Sequence, residues 1–306
     1  MIDDLFLGAA FGVENAVGMY AYSYAVLPPE VIYELEEYDD YLNGVPSRSH
    51  IYFIGETPRV VMRSVARAGN TLLVVMDIGG TEATGTLEMP TGSALHMDEQ
   101  YYYIIDKDGR KTAPSTEQLI ACTGHPLPFK VLYIGQAYGT DGSRTAADRL
   151  LKHEKLQEIA IRGPSEGCQL SILMVELASN QLITQLNPFA DEQDEKISDD
   201  RISKGLDQLF GMSMAERVSL YEAAMIRYFL PKYNIEFKKS FPSTNLKILN
   251  GVYDKDFSAV IAEYVMDESC IQLFSDNVEM TDAHIAHFDL HKTRDRHFFF
   301  SSNQQP

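Results

Sequence analysis

The sequence predicts an α+β protein, and three observations carry that prediction. Runs of β-branched and aromatic residues bounded by Gly and polar turns recur, as in "HIYFIGE" (50–56) and "NTLLVVMDIGG" (70–80). "CQLSILMVEL" (168–177) is apolar for most of its length, as a central strand covered on both faces should be. Two stretches have helical spacing instead: "TAADRLLKHEKLQEIA" (145–160) and "SMAERVSLYEAAMIRYFLPKYN" (213–234).

The elements follow in chain order. The N-terminal stretch "MIDDLFLGAAFGVENAVGMYAYSYAVLPP" is apolar, but Asp3 and Asp4 stand where a secretory signal wants basic residues. Glu14 and Asn15 interrupt it, so a membrane span is disfavoured and a buried helix or strand pair is expected. "PPEVIYELEEYDDYLNG" reads as a short acidic helix ending before Gly44. The strands at 50–56 and 70–80 and a further strand and turn in "ATGTLEMPTG" (83–92) complete an α+β region over residues 1–97. "EQYYYIIDKDGRKT" (99–112) is a strand running into an Asp-Gly turn, and "KVLYIGQ" (130–136) is the next strand.

The acidic stretch 187–200 reads as solvated surface. The helix after it opens on Ser213-Met-Ala-Glu216, a capping-box spacing. Its Val218, Tyr221, Met225, Tyr228 and Phe229 form a core-facing stripe. Glu222 lies at or beside that stripe, where an ionised carboxylate is costly unless it is paired, reaches solvent or holds a metal. Pro231 ends the helix and delivers Asn234. Beyond residue 246 the chain is β-like again, in 257–265, 270–276 and 285–291. In the last of these, Ala286, Phe288 and Leu290 share one face and Ile285, His287, Asp289 and His291 the other. The two histidines on that face lack a third ligand, so a surface role outweighs a metal site. The C-terminal strands are expected to join the N-terminal sheet around an inserted middle block, giving segments 1–97, 98–245 and 246–306.

Composition narrows the function. Across 306 residues the formal net charge is −18, which disfavours a general polyanion binder. Any nucleic-acid role then needs a local patch, a metal ion or a basic partner. The three cysteines, Cys122, Cys168 and Cys270, are widely spaced, which argues against a disulfide framework and fits a reducing cytoplasm. Phosphate-loop and serine-elbow signatures are absent.

One ordered set of motifs carries chemistry. Tyr133-Ile134-Gly135 closes a strand; "DRLLKH" follows on a helix, with Arg149 and His153 four apart on one face. A further strand comes next, then the Glu222 helix ending in "LPKYN". Over residues 98–240 this order resembles the GIY-YIG nuclease superfamily. The resemblance implies a three-stranded antiparallel sheet flanked by helices, within or beside the additional α+β domain. It also implies a metal-dependent endonuclease that hydrolyses DNA phosphodiester bonds, in restriction or defence against foreign DNA.

Carried over residue by residue, the YIG tyrosine is Tyr133, the helix arginine Arg149 with His153 after it, the metal-ligating carboxylate Glu222 and the trailing asparagine Asn234. Arg144 is a second candidate arginine, and Lys152 adds positive charge on the same helix. No literal GIY is present. "YYYII" (101–105) stands in its place, with Tyr101 and Tyr103 on one strand face, and Tyr103 is the favoured first tyrosine. A position that is often Lys in the family is Gln136 here.

The chemistry suits these residue types. Glu222 would hold Mg²⁺ or Mn²⁺, which offsets charge growing on phosphoryl oxygens. Arg149 offers a planar fork of donors to phosphate. Tyr103 or Tyr133 near a cation can act as general base, and His153 can relay the proton. RNA cleavage would use the same groups, so only the substrate separates the two. The alternative from another class is a non-catalytic adaptor of the same fold, binding a protein partner or a second copy through its acidic surface.

Overall fold

The computed structural model describes residues 12–33, 40–97, 102–112, 114, 116–136, 150, 154–178, 181–186, 195–236, 257–266 and 269–290. The architecture is mixed α+β, built on an eight-stranded sheet with two smaller three-stranded sheets beside it.

Of the N-terminal apolar stretch, residues 1–11 lie outside the described residues, and Val13–Leu27 forms one long strand, β1. Glu14 and Asn15 are buried within it. Asn15 is satisfied there: its Nδ2 donates to the Arg201 carbonyl at 2.7 Å, and its Oδ1 accepts from the Thr184 hydroxyl at 3.1 Å. A polar pair that would interrupt a membrane span is thus absorbed by a sheet interior that supplies partners. Among the described residues no helix is long and apolar enough to cross a membrane.

After a 3₁₀ turn at Pro29–Tyr33, helix α1 (Asp40–Arg48) runs through Gly44 and Pro46 instead of ending before Gly44. Strand β2 (Ile51–Pro58) follows. Next come β3 (Val60–Ala68), β4 (Thr71–Ile78) and β5 (Thr81–Glu88), an antiparallel three-stranded sheet in the order β3-β4-β5. A second small sheet joins β6 (Ala94–Met97), β7 (Tyr102–Ile105) and β8 (Lys111–Thr112). Helix α2 (Thr116–Ala121) leads into β9 (Leu127–Gln136). Then come α3 (Glu154–Arg162), β10 (Cys168–Leu177), β11 (Gln181–Leu186), α4 (Glu195–Phe210), α5 (Met214–Phe229) and α6 (Lys232–Glu236). Strands β12 (Ala259–Val265), β13 (Ile271–Phe274) and β14 (Ala283–Asp289) end the described chain.

The large sheet runs β13-β9-β2-β10-β1-β12-β14, with β11 also on β1. It draws strands from all three sequence segments, whereas the β3-β4-β5 sheet lies wholly within 1–97. The expected union of C-terminal and N-terminal strands is present as the parallel pair β1–β12. The two outer strands nearly meet. Leu273 of β13 and Thr281, just before β14, exchange backbone hydrogen bonds at 3.0 and 3.2 Å, so the sheet almost closes on itself.

Each sheet face has its own core. Val17, Phe53, Val131, Leu173, Val260 and Leu273 lie in the larger cluster with the stripe of α5. Tyr52, Ile54, Tyr133, Ile172 and Met174 lie in the other, with Leu156 and Ile159 of α3. Helix α5 has both halves of its capping box, and its Val218, Tyr221, Met225 and Phe229 are buried as the spacing predicts. Strand β14 also alternates as predicted, with Ala286 and Leu290 inward and Ile285, His287 and Asp289 outward.

His284 falls on the inward face of β14 at the seam. Its Nε2 lies 3.0 Å from the Leu273 carbonyl and 3.1 Å from that of Thr281, and its Nδ1 3.3 Å from the Tyr228 hydroxyl. Carbonyls only accept, so Nε2 carries the proton and Nδ1 takes the Tyr228 hydrogen bond, a neutral ring. Burial lowers its pKa below the ordinary histidine value, outweighing the two carbonyls that raise it. The unfolded state therefore binds the proton more readily. Stability is full above an unfolded value of about 6.5 and falls as pH drops from there toward the folded pKa. Melting temperature followed from pH 7.5 to 5 should decline in the parent, and His284→Gln should flatten that limb. A His284→Gln profile parallel to the parent would exclude His284 as its source.

Candidate functional site

The site is built on β9, because the chain's separate motif pieces converge there. Tyr133-Ile134-Gly135-Gln136 forms its C-terminal end. Strand β13 pairs with β9 only over Leu127–Lys130, so beyond that point one edge of β9 has no neighbouring strand among the described residues. The side chain of Asn234 fills that edge. Its Oδ1 accepts from the Ile134 N–H at 2.8 Å and its Nδ2 donates to the Ile134 carbonyl at 2.9 Å. The amide acts as a one-residue strand, satisfying both backbone groups of a buried position.

The turn that puts Asn234 there is specific. Leu230 caps α5 in the left-handed region at φ 47, with its N–H on the Ile226 carbonyl, and Pro231 follows. Helix α6 then carries Tyr233 into the core on the opposite face of the sheet from α5, with Arg162 of α3 5.4 Å above its ring.

Glu222 is 9% exposed on α5. Its Oε2 accepts a hydrogen bond from the Gln136 amide at 2.8 Å, and that amide also lies 3.2 Å from the Ser219 hydroxyl. The residue after the YIG triplet thus reaches the carboxylate singled out from the helix. A neutral amide is thus one partner of this stripe-edge carboxylate inside the protein.

The tyrosines are arranged differently from the sequence expectation. Tyr103 stands on β7, in the small sheet, stacked on His96 with ring centroids 5.6 Å apart and under the Lys111 ammonium. It is not on the strand that pairs with β9. That strand is β2, antiparallel, with Tyr52 opposite Gly135 and β10 on its other side. The antiparallel trio is therefore β9-β2-β10, and Tyr52 is the tyrosine beside Tyr133, centroids 6.3 Å apart. The physical reason is strand length and company: the four-residue β7 is closed off by β6 and β8, whereas β2 offers eight residues with an apolar face to each core. Sequence reasoning missed Tyr52. The available signal was the Ile51-Tyr52 dipeptide entering a strand, hidden by the β3–β8 and α2 insertion that separates β2 from β9.

Gly135 is required by this pairing. A Cβ there would lie 2.4 Å from the Tyr52 phenol oxygen, 2.5 Å from its Cζ and 2.9 Å from a Tyr133 ring carbon. Rigid rings in a packed core cannot all yield. Gly135→Ala should cost about 1–3 kcal/mol of stability, as overpacking does. In a Tyr52→Leu background the same change should cost less, since a smaller side chain then faces Gly135. Equal costs in urea denaturation would show that Tyr52 is not the obstacle.

Tyr52 and Tyr133 belong to the α3 face of β9, whereas Gln136 turns toward α5 and Glu222. The carboxylate and the tyrosine pair therefore approach the C-terminal end of β9 from opposite faces. Tyr101, Arg144, Arg149, Lys152 and His153 lie outside the described residues; Leu150, beside Arg149, is buried in the α3-face core. Among the described residues no cluster of three His, Cys, Asp or Glu could hold a metal by itself. The cysteines are free, and burial raises all three thiols, Cys270 to about 11 with the nearby Glu117 adding to it. None of them is a thiolate nucleophile near neutrality.

No family model, curated protein or solved structure matches the chain.

Proposed function

We propose that the chain is a metal-dependent endonuclease that hydrolyses DNA phosphodiester bonds through a GIY-YIG-like site, in restriction or defence against foreign DNA. The observation that carries this reading is convergence on one strand end. Glu222 and Asn234, 86 and 100 residues beyond their partners Gln136 and Ile134, meet the end of β9 through hydrogen bonds of 2.8–2.9 Å. That Tyr133, Gln136, Glu222 and Asn234 lie together supports the reading; Tyr103 stands apart on β7, and Tyr52 is the tyrosine beside Tyr133.

The residues suit a divalent ion. A buried carboxylate is a hard oxygen donor appropriate to Mg²⁺ or Mn²⁺, and Glu222 would hold it. When bound, such an ion supplies charge stabilisation at phosphoryl oxygens. The chain's own groups do the rest. Gln136 orients the Glu222 carboxylate through its amide. Asn234 fixes the backbone of β9 so that Tyr133 is presented at a set height. Tyr133 and Tyr52 offer phenols on one wall, and Arg149 and His153 are the candidates for phosphate contact and proton relay. Supercoiled plasmid incubated with the parent protein and Mg²⁺ or Mn²⁺ should be nicked or linearised, and EDTA should stop the reaction.

A second reading is an adaptor that keeps the fold without the chemistry. What favours it is that Glu222 already receives a neutral amide and stands across β9 from the tyrosines. It predicts no metal-dependent cutting and no retention of DNA at low salt.

A further inference from the structure

Among 44 acidic residues in the chain, none lies between Glu56 and Asp77, and that interval holds Arg59, Arg63 and Arg67. The interval forms the end of β2, the whole of β3 and most of β4. Strand β3 is an outer strand of the β3-β4-β5 sheet, so one row of its backbone groups has no partner strand among the described residues. All three arginines are exposed.

Their own contacts leave donors over. Arg59 Nε donates to the Cys168 carbonyl at 3.2 Å and Arg67 Nε to that of Gly69 at 2.7 Å. A guanidinium has five N–H donors, so both terminal nitrogens of each remain for another acceptor. Arg63 pairs with Asp77 at 2.8 Å, an exposed ion pair that a phosphate can exchange. Arg63 also sits at a bulge, between Met62 and Ser64, where the pairing with β4 shifts register.

We propose that β3 is a nucleic-acid docking strand, with Arg59, Arg63 and Arg67 contacting the phosphates of duplex DNA. The inference rests on the DNA reading above. In a chain of net charge −18, a duplex is repelled by most of the surface and can approach where arginines outnumber carboxylates, as they do from Arg59 to Asp77. At about 3.3 Å per residue the three side chains span roughly 26 Å. Arg67, opposite the buried Leu72, leaves β3 on the other face from Arg63, which meets Asp77, so they flank the strand's outer edge, along which a duplex backbone would lie. An acidic peptide added as a further strand would need continuous register, which the Arg63 bulge breaks; phosphates need none. The far strand is not part of the surface, because β5 carries Glu82 and Glu88.

The test is anisotropy of a labelled DNA duplex in EDTA across a salt series, in the Glu222→Gln background to prevent cutting. Replacing Arg59, Arg63 and Arg67 together by Ala should weaken binding at least tenfold at 100 mM salt. The slope of log K against log salt should fall by about 2–3, near 0.9 per lost phosphate contact. Replacing the three by Lys should keep most of the slope, and a matching circular-dichroism melt controls for folding. An unchanged slope in the Ala variant overturns the proposal, as does arginine-dependent binding of polyglutamate without DNA binding. If the parent cuts plasmid while the slope is unchanged, β3 is wrong and the nuclease reading stands. If binding depends on the arginines but Glu222→Gln cuts like the parent, the strand stands and the Glu222 site falls.

Discussion

Glu222→Gln is expected to cut DNA about 10³-fold more slowly than the parent while melting within a few degrees of it. The substitution is nearly isosteric. A glutamine oxygen can still accept the Gln136 amide that Glu222 Oε2 accepts at 2.8 Å, so the local packing on α5 survives. What is lost is the charge that would hold a divalent ion. Charge stabilisation of phosphoryl transfer by such an ion amounts to several kcal/mol, and each 1.36 kcal/mol is tenfold in rate, so about three orders of magnitude is the natural scale. The measurement is plasmid cleavage over a titration of Mn²⁺, with both proteins at equal folded concentration. Activity within threefold of the parent would remove Glu222 from the site.

Asn234→Ala should destabilise the whole protein by about 2–4 kcal/mol, because it strands two buried backbone groups, each worth about 1–3 kcal/mol when left unmade. The residue caps the free edge of β9 through the Ile134 N–H and carbonyl, and it is 7% exposed, so water cannot easily replace it. A drop of melting temperature of about 3–6 °C follows for a chain of this size. Asn234→Asp provides a sharper test. Its carboxylate keeps the acceptor for the Ile134 N–H but sets a negative oxygen against the Ile134 carbonyl at neutral pH. Protonated, it regains a donor. The Asp variant should therefore recover part of its deficit relative to the parent as pH falls from 7 toward 4. A deficit that stays constant would place the loss elsewhere than in this amide cradle.

The sequence by itself determined the local elements. Strands at 50–56, 130–136, 168–177 and 257–265 were legible from β-branched and aromatic runs, and α5 from its capping box and its Val218–Phe229 stripe. These are short-range signals, because alternation and capping act within a few residues. Glu222 and Asn234 were legible in the same way, as a carboxylate at a core stripe and a polar residue after a helix-ending proline. Only the tertiary structure decided which strand stands beside β9. Residues 101–105 read as the partner because "YYYII" stands where the family resemblance puts its first motif. Yet β2 takes that place across the insertion, since pairing depends on faces that both cores can cover. The same holds for the N-terminal stretch. Its polar Asn15 gains the Thr184 and Arg201 partners only once β11 and α4 are packed against β1, which no local pattern can foresee.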